Sequence, residues 1–168
     1  MIRLQPVTIF LSILCLVFMV STTYAGDYKD CIPLLPESIN GMEQSGDPYG
    51  LNTQSEGKSW TGLQQHYSDG SKKIELSIVS GPSAPQVQQF DSMKGHSYED
   101  GEKVVETDEI SGNDAIFEVY KDGKRGAVLV AIGQETVIII QSDSVGSKEN
   151  LISYVNKLPT SDIVDAIE

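Results

Sequence analysis

The sequence predicts an α+β fold: an antiparallel sheet in the order β-β-α-β-β-β-β-α, with two helices packed on it. Three observations carry that expectation. In 115–141, AIFEVYKDGKRGAVLVAIGQETVIIIQ, three apolar runs are separated by two short breaks. Asp122-Gly123 lies between the runs 116–120 and 127–132, and Asp-Gly between alternating apolar runs marks a hairpin. Second, Val137, Ile138, Ile139 and Ile140 are all β-branched, which suits a central strand buried on both faces and suits a helix poorly. Third, Ile74, Leu76 and Ile78 alternate with Glu75 and Ser77, so one face of that strand is core and the other is wet.

Residues 1–25 read as an export signal. Arg3 gives a positive start, 7–20 is apolar apart from Thr8 and Ser12, and Thr23 and Ala25 are the small residues a signal peptidase needs. The run is shorter than the about 20 residues of a membrane span. Cys15 raises the question of lipid attachment, but Leu14 stands where a lipobox carries a small residue. The expectation is a periplasmic or secreted protein cut after Ala25, with no stable membrane anchor afterwards. Residues 26–59 then form an N-terminal segment with a long loop, and 60–168 form the core of the same domain.

Within the mature part, 26–30 reads as a loose terminus. Pro33 and Pro36 forbid a continuous helix; Pro36 opens a single helical turn that Gly41 ends. The Gly-, Ser- and Asn-rich stretch 43–59, with Pro48-Tyr49-Gly50 inside it, reads as a surface loop. Stretches 60–67 and 73–79 form a hairpin around Ser68-Asp69-Gly70-Ser71. A helix starts near Ser83 or Ala84 with Pro85 in its first turn, buries Val87, Phe90 and Met93, and stops at Gly95. The acidic stretch 99–109 around Val104-Val105 reads as a charge-protected edge strand. After the meander, Ser147 caps a helix with Leu151, Val155 and Leu158 on one face, ended by Pro159. Ser161-Asp162 caps a last short turn.

Composition restricts function. The chain has 24 acidic and 12 basic residues, a net charge of −12, and loss of 1–25 removes only Arg3 among them. That balance disfavours nucleic acid and anionic membranes, is compatible with a basic partner, and keeps an exported domain soluble. Cys31 is the only cysteine after Ala25, so it either pairs between chains, giving a dimer, or serves as a small apolar group.

No catalytic or metal constellation emerges. His66 and His96 lie far apart and form no zinc spacing with Cys31. Gly57-Lys58-Ser59 resembles the tail of a phosphate loop, but Asn52 stands where that loop needs Gly. Ser55-Glu56-Gly57-Lys58 matches Ser-x-x-Lys without the companion hydrolase motifs. The acids of 99–109 lack the alternating ligand loop of a calcium site. Arg125 is the sole guanidinium beyond Arg3, which weighs against bidentate phosphate recognition. No cofactor is expected. The candidate binding residues are the aromatics Tyr49, Trp60 and Tyr98, since aromatics anchor protein interfaces and sugar sites alike.

The start Leu35-Pro36-Glu37-Ser38-Ile39-Asn40-Gly41-Met42, followed by the strands at 60–67 and 74–78 and the helix at 151–158, resembles a group of small exported prokaryotic proteins opening with Leu-Pro-x-x-Ile-x-Gly. Their activity is unassigned. The element order is also similar to that of the lumenal extrinsic subunit of photosystem II, an analogy of fold that transfers no site. The functional expectation is a non-catalytic exported binding protein that engages another envelope or secreted protein, such as an inhibitor or immunity-type protein. The alternatives are a small hydrolase using sheet carboxylates and a small-molecule carrier.

Overall fold

The computed structural model describes residues 26–168 apart from Glu56 and Val145. The export-signal expectation for 1–25 lies outside them. No helix among the described residues is long and apolar enough to cross a membrane.

The chain folds as an α+β protein with a ten-stranded antiparallel open sheet and four helices. In chain order come α1 (Tyr28–Cys31), a 3-10 turn (Ile32–Leu34), β1 (Ser38–Ile39), β2 (Met42–Gln44), β3 (Tyr49–Ser55), β4 (Lys58–Ser68) and β5 (Lys73–Ser80). There follow α2 (Pro85–Met93), β6 (Tyr98–Glu99), β7 (Lys103–Ile110), β8 (Asn113–Tyr120), β9 (Gly126–Ile132), β10 (Thr136–Ser142), α3 (Lys148–Val155) and α4 (Thr160–Ile167). The spatial order is β1-β2-β4-β5-β10-β9-β8-β7-β6, and β3 pairs with β4 beside β2. The predicted β8–β9–β10 meander is present, and β10 lies centrally between β5 and β9.

Strand alternation sorts side chains onto two faces. On one face, Ile74, Leu76 and Ile78 of β5 meet Ile138 and Ile140 of β10 and Val128 and Val130 of β9. Cys31, α3 and α4 cover them, with Leu151, Val155, Ile163 and Ile167 buried. Ile138 and Ile140 are fully buried, each contributing about 1.5–3 kcal/mol. The other face carries a smaller cluster in which Val87 and Phe90 of α2 pack on Val79, Val137 and Ile139.

Several expectations are corrected. The segment 36–41 is not a helical turn. Asn40 (φ 50°) and Gly41 (φ 84°) form a tight hairpin turn that pairs Ile39 with Met42 and buries both. The stretch 43–59 is mostly strand rather than loop: β2 and β3 both pair with β4. The 26–30 terminus is anchored, because Gly26 N–H donates to the Ile167 carbonyl at 2.8 Å and the Asp27 carboxylate accepts from Lys29 N–H at 3.0 Å. The helices among the described residues are four rather than two, because Tyr28–Cys31 winds into α1 and the last turn lengthens into α4. Cys31 is fully buried, and burial, with the nearby Asp30 charge, pushes its thiol pKa up to about 11. A disulfide to another chain would require Cys31 to leave the core.

Candidate functional site

The site is assembled from the α2 crossing outward. At the end of β5 the chain must turn sharply over β4. Gly81 makes this possible: its φ is +118°, and a Cβ there would lie 2.6 Å from the Ser59 carbonyl oxygen. The Gly81 N–H donates to the Glu135 carbonyl at 2.9 Å, and the Ser83 hydroxyl donates to the Ser59 carbonyl at 3.1 Å. Pro85 then opens α2 in the first helical turn. At the far end the Lys94 ammonium meets the Asp114 carboxylate at 2.5 Å, tying the helix to β8.

Nine residues span only part of a ten-stranded sheet, so α2 leaves the rest of its face open. The uncovered part is a solvent-open hollow of about 700 Å³. Its floor is Gly62 and Gln64 from β4, Ser77 and Glu75 from β5, Ile139 and Gln141 from β10, and Leu129 and Ala127 from β9. One wall is aromatic. Tyr49 and Leu51 of β3 stand beside Trp60, whose ring lies across Gly62, where a Cβ would approach its Cζ3 to 3.3 Å. Gln86 and Gln89 of α2 form a second wall, and Tyr120 and Arg125 from the β8–β9 hairpin form the third.

The third wall is electrostatically organised. In the Asp122-Gly123 turn, the Asp122 carboxylate accepts from Lys124 N–H at 2.8 Å, Arg125 N–H at 3.0 Å and Arg125 Nε at 2.7 Å. The Arg125 hydrogen bonds, with the Lys124 amide, hold the Asp122 pKa down at about 2. The clamp places the Arg125 guanidinium 4.1 Å from the centre of the Tyr120 ring. Glu118, the next outward residue of β8, is paired with Lys103 at 3.0 Å. Glu118 also raises the Tyr120 pKa, through hydrogen bonding first and charge second. His66 and Glu75 approach at 3.9 Å at the open end of the floor.

The structure brings Tyr49 and Trp60 together on one rim, but not Tyr98. Tyr49 is 65% exposed; Trp60 is half-buried and also packs against the α2 cluster, so it serves structure as well. Tyr98 lies on β6, paired with Val105, outside the hollow. The sequence reading did not single out Gln64, Gln86, Gln141, Tyr120 or Arg125 for this surface. Besides Tyr49 and Trp60, the cue for this face in the sequence is the wet alternation of Glu75 and Ser77. Among the described residues no group of three or more His, Cys, Asp or Glu converges to hold a metal. His96 sits beyond α2, where its carbonyl accepts from the Thr107 hydroxyl at 3.1 Å. Lys58, from the chance Ser-x-x-Lys match, lies at the β3–β4 hairpin end, paired with Ser55.

No family model, curated protein or solved structure matches the chain.

Proposed function

We propose that this chain is a non-catalytic exported binding protein that engages another envelope or secreted protein through the open half of its α2-bearing face. The observation that carries the reading is the hollow beside α2, flanked by the 65%-exposed Tyr49 and by Trp60. Trp, Tyr and Arg dominate the energetics of protein interfaces, and Tyr49, Trp60, Tyr120 and Arg125 all line this hollow. The net charge of −12 supports a basic partner, whose approach it would accelerate in a salt-dependent way. An inhibitor or immunity-type role is one concrete form.

A second reading, a carrier of a small polar molecule, is favoured by one atom. Gln86 lines the hollow's wall, and its buried Oε1 has no hydrogen-bond partner among the described residues. A rotation of the Gln86 side chain that exposed this oxygen to a ligand hydroxyl or amide would remove that penalty.

The test is affinity capture from envelope extract with the wild type, Tyr49→Ala and Tyr98→Ala. A partner retained by the wild type and Tyr98→Ala but lost with Tyr49→Ala supports the reading. Equal capture by all three contradicts it.

A further inference from the structure

We infer that β3 is a self-complementary sheet edge through which two copies of this chain pair antiparallel. The sheet's edges are not alike. At the far side, β6 covers part of β7, the Ser97 hydroxyl accepts from Thr107 N–H at 3.2 Å, and Glu99, Glu106, Asp108 and Glu109 charge the rim. That is how proteins protect an edge. At the near side β1 is only two residues long. By contrast, β3 runs seven residues, YGLNTQS, with no charge and no proline, and among the described residues only β4 pairs with it.

The hydrogen-bonding phase of β3 follows from its turn. Ser55 pairs with Lys58 across a two-residue connection, and in such hairpins the flanking pair exchanges both backbone bonds. Alternation then turns the N–H and C=O groups of Leu51 toward β4 and those of Gly50, Asn52 and Gln54 outward. The Leu51 carbonyl oxygen, 3.2 Å from the Thr61 Oγ1 of β4, agrees with that phase. A two-fold axis through Asn52, normal to the sheet, sets Asn52 opposite its own copy and Gly50 opposite Gln54. All three outward residues find backbone partners at once, as an isologous contact requires. The two hollows then lie on the same face of one continuous sheet, since Tyr49 and Leu51 border both the hollow and the edge.

So short an edge gives a weak dimer. Each copy carries a net charge of −12, so repulsion opposes pairing and salt relieves it. The inference does not depend on any partner at the hollow, and its assay contains none. Sedimentation of the purified chain should show a monomer–dimer equilibrium that shifts toward dimer between about 20 mM and about 500 mM salt. Amide exchange at Gly50, Asn52 and Gln54 should slow as concentration rises. Gln54→Pro removes an outward N–H without touching the β3–β4 ladder and should weaken the dimer about tenfold or more at unchanged melting temperature. If the proline also lowers the melting temperature, Gln54→Glu, which puts a carboxylate into each pairing register, should weaken the dimer likewise. A chain that stays monomeric at every salt and up to about 1 mM protein overturns the inference. So does a dimer that neither variant weakens.

Discussion

Across β5, β10 and β9, the closed face reads Ile78–Ile138–Val130 and Leu76–Ile140–Val128. One residue along the same strands, the open face reads Ser77–Ile139–Leu129 and Glu75–Gln141–Ala127. The same backbone therefore carries one surface that must be covered and one that tolerates water. The open face is not a core that lost its helix, because its floor alternates polar and small side chains with single apolar ones. The closed face is tied down at both ends of the described residues: Gly26 bonds to Ile167, and the Glu168 carboxylate accepts from Gln134 and Glu135 N–H and the Thr136 hydroxyl. Most of the buried core belongs to the closed face, and the open face carries a smaller cluster and the hollow.

The largest effect expected from this difference is on unfolding. Ile138→Ala or Ile140→Ala should lose about 2–5 kcal/mol in denaturant titrations. Gln141→Ala, the next residue of β10 but facing the hollow, should stay within about 0.5 kcal/mol. Comparable losses at Ile140 and Gln141 would erase the distinction between the faces.

Alkaline pH should strike the closed face next. Burial there pushes Tyr67 from 10.0 to about 12 and Cys31 from 9.0 to about 11. Both groups are neutral when protonated, and the folded state holds those protons longer than the unfolded chain does. Their contribution is thus fully present below about pH 9 and is lost as pH rises through the interval to about 12. Each accounts for at most about 3 kcal/mol. Tyr67→Phe also deletes a buried hydroxyl whose interaction with the Gln44 side chain only partly offsets its burial, so it should be close to neutral at pH 7 while flattening the loss above pH 10. Unfolding free energies of both proteins across that range decide it. An unchanged alkaline slope in the variant would mean that Tyr67 does not titrate as a buried group.

A smaller loss, about 1–3 kcal/mol, is expected for Gly81→Ala, which forces a side chain into a left-handed conformation against the Ser59 carbonyl. Because Gly81 sets where α2 crosses, the loss should come with altered fluorescence of Trp60, the only tryptophan. A variant as stable as the wild type with unchanged fluorescence would show that the hollow's roof is positioned by other contacts.

Much of the closed face was legible because its signals are local and periodic. The β4–β5 hairpin, the meander, α2 and α3 each carry period-2 or period-3.6 apolar spacing with a turn or cap at the boundary. The N-terminal strands were not legible for two different reasons. Asn40-Gly41 is a hairpin turn, but behind two prolines and only two strand residues it reads as a helix stop. In β3, Gly50, Asn52 and Gln54 have low strand preference, and pairing with β4 decides their conformation from outside. That pairing uses Tyr28 as well, whose ring lies against the backbone of Gly50, and the Thr61 hydroxyl, which donates to Asn52. At the site, Tyr49 and Trp60 stood out as aromatics flanking a polar stretch. The glutamines, Tyr120 and Arg125 did not, because their convergence depends on register across five strands rather than on spacing along one.

The division between the faces is tested most directly at Tyr49, the rim residue with least structural duty, by measuring unfolding and partner binding on the same preparation. Tyr49→Ala should leave unfolding free energy within about 0.5 kcal/mol of wild type and weaken binding of the captured partner about tenfold or more. Unchanged binding, or a loss of stability as large as that of Ile140→Ala, would contradict the account.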